Sequence, residues 1–144
     1  MGRRVINENI EIDNSKCTLK EIASKAYGTV RFPDLTINST TTSKEATITL
    51  HTIGRPVFAL CTGCIIPTST AWIRITLYRN GILLKNQIVQ GYGTSAYKAF
   101  SLNFLDYPAR GTHVYKIVFS RGSGDCQLGN GLGNNSPVFS AFEI

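Results

Sequence analysis

The sequence predicts an all-β fold: an antiparallel β-sandwich of jelly-roll type, with a short N-terminal arm and one small helix. Three observations carry that prediction. From residue 46 onward, apolar and polar residues alternate with a period of two, as in strands with one buried face. Turn signals recur about every 8–12 residues, and no stretch of helical period lies between them, which argues against parallel βαβ units. Thr, Ile, Val, Tyr and Phe are plentiful, and β-branched and aromatic side chains favour a pleated, half-buried surface.

Residues 1–45 read as a separate unit of arm, helix and linker. Asn9-Ile10-Glu11-Ile12 alternates and suits a short strand or an extended arm. Thr18-Leu19-Lys20-Glu21 is a capping box, in which a hydroxyl and a carboxylate satisfy free amides at a helix start. Leu19, Ile22, Ala23 and Ala26 then follow helical spacing and Gly28 stops it, predicting a helix over about 18–27. So short a helix does not hold alone in water, so its apolar stripe must dock on the sandwich or on another chain. Residues 38–43 are almost all Ser and Thr and read as a linker or edge segment.

Residues 46–144 read as the sandwich. Ile48 and Leu50 alternate with Thr47, Thr49 and His51. Residues 57–66 are mostly apolar, interrupted by Cys61-Thr62-Gly63-Cys64 and ended by Pro67. Over residues 72–78, Ile73, Ile75 and Leu77 share one face, while Trp72, Arg74, Thr76 and Tyr78 share the other. Asn80-Gly81 follows, the pair that best tolerates the positive φ angles of a type I′ hairpin turn. The return strand covers about 82–90. Phe100, Leu102 and Phe104 alternate before Tyr107-Pro108, and Tyr115, Ile117 and Phe119 line one face of the next strand. Residues 121–136 are rich in Gly and Asn and read as a long loop. Pro137 opens a last strand over 138–144.

The chain has 144 residues, enough for one real core. Its net charge of +6 suits an anionic neighbour, yet the basic residues spread from Arg3 and Arg4 to Arg121 without a run, as on a solvated surface. Nucleic acid is therefore not an expected partner. No apolar segment is long enough to span a membrane, and the N-terminus lacks the apolar stretch of a secretory signal.

No constellation in the sequence announces catalysis. Cys61 and Cys64 have the spacing of a zinc or redox pair, but on a straight strand they point to opposite faces and cannot hold one ion. Cys17 and Cys126 are isolated. Structural thiols, a zinc site and a disulfide all stay open for these four, with the thiols the plainest reading. His51 and His113 lack a nucleophile elbow or a second ligand at helical spacing. Asp106, Asp125 and Glu143 are scattered in sequence. Gly129-Asn130-Gly131-Leu132-Gly133 neither follows a clear strand nor opens a helix, so it is a loop rather than a phosphate cradle. The expected catalytic residues, metal and cofactors are none. Trp72, Arg74 and Tyr78 form a possible ligand surface: open to solvent they would stack a sugar or a base, and otherwise they pack under a neighbouring segment or chain.

Three phrases carry a resemblance. They are Trp72-Ile73-Arg74-Ile75-Thr76-Leu77-Tyr78-Arg79-Asn80-Gly81, the segment 100–115 from Phe100-Ser101-Leu102 through Pro108-Ala109-Arg110-Gly111 to Val114-Tyr115, and the closing Pro137-Val138-Phe139-Ser140-Ala141-Phe142-Glu143-Ile144. Together they resemble bacteriophage virion β-modules, the trimeric jelly rolls of head decoration (cement) proteins, head fibres and tail-fibre tips. The resemblance covers residues 46–144 and leaves Cys61-Thr62-Gly63-Cys64 outside its pattern. It implies a homotrimer without enzymatic activity, made in the host cytoplasm and carried on the virion. With a short arm rather than a long shaft ahead of the sandwich, the expected place is the capsid surface, as a decoration protein that stabilises the shell. Residues 1–34 would then grip the major capsid protein, with Arg3, Arg4, Ile10, Ile12, Leu19 and Ile22 as anchoring candidates. The alternative is a tail-fibre or receptor-binding tip in which Trp72, Arg74 and Tyr78 meet a host glycan. A polysaccharide hydrolase using Asp106 or Asp125 ranks last.

Overall fold

The computed structural model describes residues 27–33, 35–68, 70–91, 97–129 and 136–144. Ten strands run through them: β1 Tyr27–Arg31, β2 Leu35–Ile37, β3 Ser43–Thr52, β4 Val57–Pro67, β5 Trp72–Arg79, β6 Ile82–Gln90, β7 Lys98–Asp106, β8 Gly111–Ser123, β9 Cys126–Leu128 and β10 Val138–Glu143. They form two antiparallel sheets. One has the order β3-β8-β5-β6. The other is built around β4, which pairs with β10 over 57–62 and β9 over 65–67 along one edge and with β7 along the opposite edge; β1 flanks β10 and β2 flanks β9. Most connections cross from one sheet to the other, and β5–β6 is the tight hairpin. The orders β1-β10-β4-β7 and β3-β8-β5-β6 are those of a jelly roll.

The core fills the space between the sheets as strand alternation requires. Val57, Ala59, Cys61 and Ile65 of β4 point inward, as do Phe100 and Leu102 of β7 and Phe139 and Ala141 of β10. They meet Ile48 and Leu50, Ile73, Ile75 and Leu77, and Tyr115, Ile117 and Phe119 from the other sheet. Phe119 sits edge-on to Phe32 and Phe100, with ring centroids 4.9 and 5.7 Å apart, the preferred geometry for aromatic pairs. At the hairpin, Asn80 and Gly81 both have positive φ, 50° and 81°, as the type I′ turn demands. Asn80 is also tied to β8: its N–H donates to the Val114 carbonyl and its side-chain oxygen accepts the Val114 N–H, each at 2.8 Å.

The sandwich begins earlier than the sequence pattern suggests. Strand β1 opens at Tyr27, within the segment read as arm and helix, and pairs with β10 from Tyr27↔Phe142 to Arg31↔Val138. Phe32, two strands away from the expected boundary at residue 46, is buried in the core. Gly28 is not a helix stop but a close approach, since a Cβ there would overlap Ile48 of the facing sheet. The expected helix over 18–27 otherwise lies outside the described residues. The segment 121–136 is also not all loop: β8 continues to Ser123 and β9 adds a three-residue rung between β2 and β4.

Candidate functional site

The outward face of the β4 sheet is the feature that the core does not explain. Pairing registers set its side chains in rows. Tyr27 of β1, Phe142 of β10, Phe58 of β4 and Leu105 of β7 stand side by side across the sheet. The Phe142 ring lies 6.3 Å from Tyr27 and 5.7 Å from Phe58. One step toward the sheet end, the Ile144 N–H donates to the Pro56 carbonyl, and Ile144 and Tyr107 continue the same columns. One step the other way the row is Thr29, Ser140, Leu60 and Asn103, with a 3.0 Å hydroxyl contact between Thr29 and Ser140. The next is Arg31, Val138, Thr62 and Ser101. Among the described residues, Arg31 is the sole charged residue whose strand position points to this face. Its guanidinium reaches the Ser136 carbonyl at 3.4 Å, beside a recess of about 390 Å³ lined also by Thr62, Gly63 and Cys64.

The outward face of the other sheet has a different character. Trp72, Arg74 and Tyr78 do share it, as their alternation predicts. Trp72 packs against Gly122, where a Cβ would overlap the indole ring. Arg74 sits over the Trp72 ring at 5.7 Å, and Lys116 over the Tyr78 ring at 5.8 Å. Lys116 also pairs with Glu45 at 3.3 Å. Both aromatic rings thus already carry a cation on one side, and the face mixes these charges with exposed Leu83, Ile88 and Val114.

Two of the scattered carboxylates come together. Asp106 and Glu143 flank Val57, one on each neighbouring strand. Both point inward and both are held by structural partners. Arg79 Nη1 donates to the two Asp106 oxygens at 2.9 and 2.7 Å, and the Tyr115 hydroxyl donates to Oδ2 at 2.7 Å. Burial first, and then the hydrogen bond to Asp106, push the Tyr115 phenol well above its usual range. Glu143 Oε2 accepts the N–H groups of Ile53 and Arg55 at 2.8 and 3.1 Å and so closes the 53–56 turn. Asp125 stands apart, 4.0 Å from Arg121.

Cys61 points into the core and Cys64 outward, so β4 separates the pair as its alternation predicts. Cys61, Cys64 and Cys126 are free thiols, and burial pushes Cys61 and Cys126 up to about 12. Cys17 lies outside the described residues. His113 Nε2 donates to the Ala109 carbonyl at 2.7 Å, which leaves Nδ1 to accept from the Asn80 amide at 3.1 Å. His51 Nδ1 bonds the Thr112 hydroxyl at 2.8 Å across the β3–β8 pair, so His113 braces the 107–110 connection and His51 a cross-strand contact.

Of the residues singled out by sequence, Arg3, Arg4, Ile10, Ile12, Leu19 and Ile22 lie outside the described residues. The aromatic row was not singled out, although it leaves a trace. In 57–66 both strand phases are apolar, Phe58 and Leu60 as much as Val57 and Ala59, and such a run marks a strand covered on both faces.

No family model matches the chain, and no curated protein matches it. Among solved structures, the fold is similar to dimeric latent PorU from Porphyromonas gingivalis, with a TM-score of 0.55 at 10% identity over 83% of this chain. The chain spans only 13% of that protein's length. The Eiger TNF from S. frugiperda aligns with a TM-score of 0.43 at 10% identity, over 78% of this chain and 94% of its own. At such identities the likeness is one of fold alone.

Proposed function

We propose that this chain is a structural phage virion protein, a homotrimeric capsid decoration protein that binds the outside of the head and stabilises the shell without catalysing a reaction. The observation that carries this reading is the charge-poor aromatic face of the β4 sheet. A sandwich has no use for such a face in water, whereas a body built to sit against other subunits does. The buried carboxylates agree with that role, since Asp106 and Glu143 are committed to Arg79, Tyr115 and the 53–56 turn. The resemblance of the strand phrases to virion β-modules supplies the setting. Anchoring falls to the segment ahead of β1, with Arg3, Arg4, Leu19 and Ile22 as contacts to the major capsid protein.

The test is decoration of purified head shells of the encoding phage. A chain carrying Arg3→Ala, Arg4→Ala, Leu19→Asp and Ile22→Asp is expected to lose shell occupancy while its circular dichroism stays native. Full occupancy by that variant would sink the anchoring reading. Substitution is preferable to deleting residues 1–34, which would also remove β1 and Phe32 from the sandwich.

A second reading is favoured by the Trp72–Arg74–Tyr78 face. Aromatic rings beside cations suit a host glycan, and the protein would then be a receptor-binding tip. Specific glycan-array binding that disappears in a folded Trp72→Ala protein would favour this reading over decoration.

A further inference from the structure

We infer that the outward face of the β4 sheet is where copies of this chain pack on one another, with Tyr27, Phe58, Leu105 and Phe142 at the centre of the contact. The inference rests on the homo-oligomeric reading and assigns it a surface. The row crosses all four strands, with β10 and β4, the strands that carry Phe142 and Phe58, in the middle of the sheet. It therefore runs the width of the sheet as one row, at the end where β1 and β4 begin and β7 and β10 finish. Tyr27 and Leu105 are 63% and 40% exposed, and Tyr107 and Ile144 extend the patch at 72% and 47%. Enrichment in aromatic residues with depletion of charge is the composition of an interface core.

Charge selects the occupant. The chain carries +6 overall, so two copies repel wherever basic surfaces meet. This face brings none of that charge to its aromatic end; Arg31 stands two rows away from Phe142 along β1 and β10. An acidic shell or a nucleic acid would be met by basic residues, and a glycan by a dense set of hydrogen-bonding groups. The aromatic row offers the Tyr27 hydroxyl and otherwise ring and alkyl surface. Its complement is another uncharged apolar face, which each copy presents. Size agrees: four strands about 4.8 Å apart and a strand length of about 25–30 Å give roughly 500 Å² of projected sheet. Side-chain relief raises the accessible area toward the ~800 Å² per partner of a standard stable interface.

The experiment uses the full chain. A photocrosslinking benzoylphenylalanine at position 58 is expected to give species of two and three chain masses on irradiation. Peptide mapping should place the links on β1, β4, β7 or β10 of another copy. In parallel, Phe58→Glu with Phe142→Glu should weaken association at least about thirtyfold by sedimentation equilibrium, the scale of a hot-spot aromatic. Thr47→Glu with Val118→Glu, on the outward face of the other sheet, should leave it unchanged. A monomeric wild-type chain at 100 μM (a chosen working concentration, about the reach of the method for micromolar affinities) would overturn both this assignment and the oligomeric reading. A wild-type oligomer that the glutamate pair leaves intact would overturn the assignment alone. Links from position 58 into residues 1–26 of the same chain would show the face covered by its own N-terminal segment, and would overturn it as well.

Discussion

Replacing Asp106 by Ala should destabilise the fold by about 3 kcal/mol, and the size follows from what the carboxylate holds. Asp106 is 6% exposed, accepts twice from Arg79 Nη1 and once from the Tyr115 hydroxyl, and joins β7 to β5 and β8 across the end of the sandwich. At about 3 Å and an effective dielectric near 20, the ion pair attracts by roughly 5 kcal/mol before desolvation. Desolvation of two ions offsets most of that, so the intact pair contributes little net. Removing one partner is different. It leaves a guanidinium without its counter-charge and a buried phenol without its acceptor, which costs about 3–5 kcal/mol when both partners are buried. The Arg79 side chain is 23% exposed and recovers some water, which puts the cost at the lower end. Tyr115→Phe keeps the ion pair and loses one hydrogen bond to a charged group, about 1.5 kcal/mol. Urea unfolding followed by the fluorescence of Trp72, the one tryptophan in the chain, measures each. In a Tyr115→Phe background, Arg79→Met combined with Asp106→Leu, which removes both charges and leaves no orphaned hydroxyl, should return close to the Tyr115→Phe protein. An Asp106→Ala loss below about 0.5 kcal/mol, or an Arg79→Met/Asp106→Leu/Tyr115→Phe protein as unstable as Asp106→Ala, would refute the account.

Two further expectations concern the same core. Gly63→Ala should destabilise by about 1–3 kcal/mol, because its Cβ would meet Pro137 Cα at 2.6 Å and backbone cannot swing aside as a side chain can; an unchanged thermal midpoint would contradict this. Stability should also fall on the alkaline side. Tyr115, Cys61 and Cys126 are neutral when protonated, and burial raises all three in the folded state, the two thiols from 9.0 to about 12. The unfolded chain therefore loses protons first, so the stabilisation is complete below about pH 9 and drains away as pH rises toward 12. Urea midpoints that stay constant from pH 8 to pH 11 would rule this out.

The parts of the fold legible in the sequence are those where one local rule acts alone. Ile73, Ile75 and Leu77 alternate against polar neighbours, and they are buried as that alternation requires. Asn80-Gly81 satisfies a turn that only positive φ permits, and both residues have it. Where two demands share a segment, the reading fails. Strand β1 spans five residues and β2 three, too short for a period of two to stand out, and each forms because a partner strand supplies its hydrogen bonds. Gly28 illustrates the ambiguity, because the absence of a side chain serves a helix end and a close approach to Ile48 equally well in sequence. Asp106 and Glu143 are 37 positions apart, and only the register through Val57 sets them in one row.

The aromatic face shows the same limit from the other side. The sequence displays Phe58 and Phe142 as apolar residues in apolar runs, which a strand buried on both faces would also show. The structure separates the two phases. Val57, Ala59 and Cys61 meet the core, while Phe58 and Leu60 point to the other side of the sheet and are half-buried there. Strand β3 provides the contrast: its outward Thr47, Thr49 and His51 are polar, as water requires, and the inward Ile48 and Leu50 are not. The two outward faces thus differ chiefly in charge: the β5 face mixes Arg74, Lys116 and Glu45 with exposed Leu83, Ile88 and Val114, whereas the β4 face sets an aromatic row at one end and Thr, Ser and Asn beyond it, with Arg31 the one charged residue at its described strand positions. On the proposed reading, that aromatic row is the part of the face a partner would shield from water.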